Sequence, residues 1–114
     1  MISKIKVGRY TWDIENLHGK KKLDFSGCEL LPADLMIFAE LCEAKLVKNA
    51  SYVNLSENIA ITDDNFVGSM ARVIKALRCN EVIIKNSDCE EENIREIKNL
   101  LGIESSSSVN FSIS

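Results

Sequence analysis

The chain has 114 residues, one domain's length, with 46% hydrophobic and 27% charged side chains and a net charge of -3. One proline and five glycines exclude collagen-like and proline-rich linker architectures. Seventeen acidic against 14 basic residues argue against a nucleic-acid face.

Residues 1–19 alternate Ile5 and Val7, then Tyr10, Trp12 and Ile14, on either side of Gly8-Arg9, which predicts a hairpin or a bulged strand. A polar segment from Glu15 to Lys22 follows, with the single histidine, His18. Leu23-Asp24-Phe25-Ser26 reads as a half-buried strand, because its apolar residues alternate with polar ones. A helix is expected from Pro32 to about Lys48, with Leu35, Phe38, Leu41, Cys42 and Leu46 on its inner face. Val53-Asn54-Leu55-Ser56 is the next strand. A second helix is expected after Thr62 as N-cap, with Asp63 and Asp64 favourable to its dipole and Phe66, Met70, Val73, Ile74 and Leu77 inside. Val82-Ile83-Ile84-Lys85 comes third. Its helix is expected from a capping box at Ser87–Glu90, with Ile94, Ile97, Leu100 and Leu101 inside and Gly102 as its stop. Val109-Asn110-Phe111-Ser112 closes the series.

The strand starts are 30, 29 and 27 residues apart. Strands and helices alternating at a near-constant period predict an α/β fold of stacked β-α units, a short right-handed solenoid. Its parallel strands carry helices on the outer face, with residues 1–19 as an N-terminal β cap and residues 20–114 as three to four repeats. Trp12 and Tyr10 suit the cap, which must cover apolar surface at the open end.

Residues 20–114 resemble the leucine-rich repeat of the ribonuclease-inhibitor-like class. Leu23-x-Phe25-x-x-Cys28-x-Leu30 fits the second half of that motif, and Val53-x-Leu55-x-x-Asn58 fits with Ile61 one place late. Val82-x-Ile84-x-x-Ser87-x-Cys89 is degenerate, and the motif's opening leucine is absent throughout. The resemblance implies that Cys28 and Asn58 hydrogen-bond turn backbone and are structural. It also implies binding of a partner on the exposed sheet face.

No constellation points to catalysis. Cys28, Cys42, Cys79 and Cys89 form no CxxC pair, so buried free thiols are expected rather than a zinc or redox site. Asp63-Asp64-Asn65 and Glu90-Glu91-Glu92 read as helix starts, and Lys20-Lys21-Lys22 as a solvated turn. No metal or cofactor is expected. No stretch approaches the ~20 apolar residues of a membrane span, and no signal-peptide core follows Met1, so the expected compartment is the cytosol.

The side chains left for recognition are the outward residues of the strands: Lys22, Asp24, Ser26, Tyr52, Asn54, Ser56, Glu81, Ile83, Lys85 and Asn110. Stacking is expected to bring Asp24, Asn54, Ile83 and Asn110 into one row, with Tyr52 as the aromatic anchor. The expected function is therefore a non-catalytic protein-interaction module, an adaptor or an inhibitor or immunity-type protein. A regulatory domain like the anti-sigma-factor antagonists, switched by phosphorylation of Ser26 or Ser56, is the alternative, although that family's Asp-Ser-Ser-Gly pattern is missing. An uncovered last strand also leaves dimerisation through the C-terminal edge open.

Overall fold

Alternating side chains on four short strands give the protein its central feature. In the computed structural model, which describes residues 4–7, 10–107 and 109–113, these strands form one parallel sheet. They are β3 (Lys22–Asp24), β4 (Tyr52–Asn54), β5 (Glu81–Ile84) and β6 (Asn110–Ile113), and they lie side by side in chain order. Ahead of them β1 (Lys4–Val7) and β2 (Tyr10–Asp13) make a separate antiparallel pair, followed by the single-turn helix α1 (Ile14–Leu17). Helices α2 (Pro32–Glu43), α3 (Phe66–Leu77) and α4 (Glu91–Ser107) connect the parallel strands, with neighbours α2–α3 and α3–α4 in contact. The α/β class and the parallel sheet agree with the sequence reading.

Register follows from burial. Leu23, Val53, Val82 and Phe111 lie opposite one another across the sheet, and the first three are at most 1% exposed. Phe25, Leu55 and Ile84 form the next buried row against the apolar stripes of the helices. Sliding one strand by a residue would turn its core side chains to solvent, so these rows lock the register. The backbone ladder continues past the strand ends at the same repeat positions. Phe25 N donates to Asn54 O and Leu55 N to Ile83 O, while Gly27 N donates to Ser56 O and Glu57 N to Lys85 O.

Two left-handed positions recur from layer to layer. Gly27, Glu57 and Asn86, with φ of 64°, 61° and 53°, lie three places beyond the matched residues Asp24, Asn54 and Ile83. Gly19, Asn49 and Arg78, with φ of 77°, 66° and 56°, lie five places before those residues. Only glycine and asparagine adopt this region readily, so the presence of Glu57 and Arg78 shows stacking imposing the turn on unfavourable residues.

Asn58 joins two of these layers. It is fully buried, and its Oδ1 accepts from Leu30 N at 2.8 Å. Its Nδ2 is 3.0 Å from Phe25 O, 2.8 Å from Leu55 O and 3.3 Å from Ser56 O. One side chain thus satisfies turn backbone in its own layer and in the preceding one, in the role the resemblance implies. At the matching position Cys28 is half-buried, with Sγ 3.7 Å from Ser26 O.

Trp12 anchors the N-terminal segment. It is fully buried, stacked on Phe38 (5.2 Å, 7° between planes) and edge-on to Phe25 (5.2 Å, 74°). The side chains of Ile5, Val7 and Tyr10, also expected in the cap, lie outside the described residues.

Several expected boundaries are corrected. α2 ends at Glu43 rather than Lys48, because Lys45 (φ 64°) turns left-handed, Lys45 N donates to Cys42 O and Leu46 N donates to Leu41 O. That pair of bonds is a Schellman motif with lysine at the position glycine usually takes. Leu46 is consequently 39% exposed, and Val47 takes the buried place. Thr62 does not cap α3. Its N–H donates to Asp88 in the neighbouring layer, and Asn65, on an Asp63 turn, precedes the helix. α4 begins at Glu91, with Asn93 Oδ1 accepting from Glu90 N, so the expected Ser87–Glu90 box is absent. Leu100 is 52% exposed instead of inward, whereas Gly102 (φ 84°) leaves the helical conformation and ends the first helical piece of α4 as expected, with a second piece following it.

The fourth strand is shifted by two residues. The sequence alignment set Val109 beside Val82, whereas Phe111 occupies that place. The last connection is therefore 29 residues long, like the one before it (111 − 82 = 82 − 53), and the apparent shortening disappears.

Candidate functional site

The face of the sheet opposite the helices carries the sequence-derived site residues. Parallel register places Lys22, Tyr52, Glu81 and Asn110 in one row. Asp24, Asn54, Ile83 and Ser112 form the next row, so Ser112 takes the place expected for Asn110. The face mixes polar and apolar side chains, with Glu81 and Asn54 beside Tyr52 and Ile83 on the two central strands. Lys22, Asp24, Glu81, Lys85 and Asn110 are exposed, while Tyr52, Asn54 and Ile83 are half-buried. Lys22 Nζ lies 5.7 Å from the Tyr52 ring centre, a cation–π distance that holds the ring between two strands.

Two short side chains brace the strand ends. Asp24 Oδ1 accepts from the Ser26 hydroxyl at 2.6 Å and from Ser26 N at 2.9 Å, and these bonds hold its carboxyl below the usual carboxylate range. Asn54 Oδ1 accepts from Ser56 N at 2.9 Å in the same way. Both are Asx turns, in which the side chain replaces a backbone acceptor. Ser56 corrects the sequence reading: it is 8% exposed, and its Oγ accepts from Lys85 N at 3.0 Å. It is therefore an interlayer tie rather than a surface residue. Ser26 remains half-exposed, so the serine-phosphorylation alternative now rests on Ser26.

The remaining candidates separate from this face. His18 is exposed, and its Nδ1 lies 3.0 Å from Leu46 O. The carbonyl can only accept, so the ring donates there. Cys42, Cys79 and Cys89 are buried free thiols, and Cys28 is half-buried. Burial pushes the Cys42 thiol up to about 12, and the Cys79 and Cys89 thiols each to about 11. None of these three is a thiolate at neutral pH. Among the described residues no three His, Cys, Asp or Glu side chains gather in a way that could hold a metal ion, and no helix is long and apolar enough to cross a membrane.

Two features escaped the sequence. Arg72 of α3 donates two bonds to Glu43 of α2, at 3.1 and 2.6 Å. The residues are 29 apart, so the repeat period was the available signal. A groove also opens between α4 and β6, lined by Glu91, Ile94, Arg95, Lys98, Phe111 and Ile113. Only the correct fourth-strand register reveals it. Comparison with protein-family models, with curated proteins and with solved structures found no match.

Proposed function

We propose that the protein is a non-catalytic protein-interaction module, built as a short leucine-rich-repeat-like solenoid, which binds a partner protein in the cytosol on the exposed sheet face. The observation that carries this reading is the pair of adjacent rows in which Tyr52 and Ile83 sit half-buried among Lys22, Asp24, Asn54 and Glu81. An amphipathic aromatic fixed over a sheet loses little entropy on binding, and the charged neighbours add specificity. The repeated turn geometry and the buried Asn58 support the solenoid reading. The small acidic chain suits an inhibitor or immunity-type role toward a basic partner.

The test is affinity capture from source lysate with wild type beside a Tyr52→Ala, Asn54→Arg variant, both checked by circular dichroism. A Glu96→Arg variant on α4 serves as the control. A protein kept by wild type and the control but lost from the double variant supports the reading. Equal recovery on all three refutes it.

A further inference from the structure

The two ends of the parallel sheet are finished differently. At the β3 end, Trp12 closes over Phe25 and Phe38. At the β6 end, Phe111 and Ile113 are only half-buried, and they line the groove with Ile94 and the exposed Glu91, Arg95 and Lys98. Among the described residues β6 pairs only with β5. Asn110 N donates to Asn80 O, toward β5. Backbone groups alternate in direction along a strand, so those of Phe111 and Ile113 point to the free edge. Edge donors and acceptors beside a half-covered aromatic form a template for another strand.

The charges on the groove indicate the occupant. Glu91, Arg95 and Lys98 lie along one stripe of α4, with the acid at its N-terminal end and the bases about one and two turns later. A two-fold axis perpendicular to the sheet beside β6 would run the two α4 helices antiparallel. It would then set the Glu91 turn of each copy against the Arg95–Lys98 turn of the other. The same axis pairs β6 with its copy antiparallel and places Phe111 across from Ile113, an aromatic and β-branched cross-strand pair. The surface is self-complementary in charge and in backbone pattern, as a two-fold interface requires.

We propose that the α4–β6 groove is the docking surface for a second copy of this chain, joining two four-stranded sheets into one through antiparallel β6 strands. This assignment uses the sheet's end and does not rest on the exposed-face reading.

Sedimentation equilibrium of the full chain, from micromolar to millimolar, tests it. A concentration-dependent dimer that weakens with added salt is expected. Glu91→Lys should raise the dissociation constant about tenfold, since the contact occurs twice per dimer. Adding Lys98→Glu to that variant should recover affinity to within about threefold of wild type, because the swap restores the pairs. Ile113→Pro removes a free-edge N–H and part of a half-buried side chain but no bond to β5, so it should abolish the dimer while the protomer still unfolds cooperatively, with a midpoint lowered by no more than a few degrees. A monomer throughout the range would overturn the proposal. So would a dimer indifferent to Glu91→Lys and Ile113→Pro, or growth into open-ended polymers.

Discussion

Replacing Asn58 with leucine tests how far one buried side chain holds the layers together. Leucine has asparagine's branching and number of side-chain heavy atoms but is bulkier, so the change removes the hydrogen bonds, opens no cavity, and any overpacking only adds to the cost. Leu30 N loses its acceptor at 2.8 Å inside the core, which costs about 1–3 kcal/mol. The carbonyls of Phe25 and Leu55 lose donors at 3.0 and 2.8 Å, at about 1 kcal/mol each. The sum is about 4 kcal/mol, a large part of the roughly 6–17 kcal/mol expected for a chain of this length. With a urea slope of about 1.5 kcal/mol per molar, the unfolding midpoint should fall by about 2–3 M. Urea titration followed by circular dichroism measures this directly. A midpoint within about 0.3 M of wild type would refute the claim that Asn58 joins adjacent layers.

Other positions yield equally specific expectations. Gly27→Ala should cost about 1–2 kcal/mol through its left-handed φ alone, since no atom lies within 4 Å of the added methyl; Glu57→Gly should gain up to about 1 kcal/mol for the converse reason, and unchanged thermal midpoints would contradict both. Trp12→Ala should cost about 3–5 kcal/mol, and the single tryptophan's fluorescence should unfold together with the helical signal in wild type. An earlier fluorescence transition would mean that the N-terminal segment is not part of the cooperative core. Under native conditions a thiol reagent should modify Cys28 quickly and the three buried cysteines only as fast as the protein opens. Because folding raises the thiols of Cys42, Cys79 and Cys89 above their ordinary value, the unfolded chain releases those protons first. Their contribution to stability is complete below about pH 9 and is lost as pH rises to about 11–12; a flat alkaline stability profile would contradict this.

The strands and the inner helix stripes were legible because burial writes a period into the sequence. Leu23, Val53 and Val82 marked the true register, and Asn58 stood where a buried amide was expected. Gly19, Gly27, Asn49 and Asn86 suit their left-handed turns, but other turns are illegible because their residue types are mismatched to their conformation. Lys45, Glu57 and Arg78 give no glycine-like signal, yet each is left-handed. The apolar pattern consequently runs five residues past the end of α2 and puts Leu46 inside. β6 was misaligned because Val109 and Phe111 both begin an apolar-polar alternation, and only pairing with Val82 chooses between them. Alternation puts Ser56 on the surface because it cannot distinguish a solvated hydroxyl from one accepting a neighbouring layer's N–H.

Site-specific photo-crosslinking in the source cell tests the central claim most directly. A photoreactive residue would replace Asn54 on the sheet face and, separately, the exposed Lys75 on α3. The account predicts one discrete crosslinked partner from position 54 and none from position 75. A partner captured only from position 75 would contradict the sheet-face assignment.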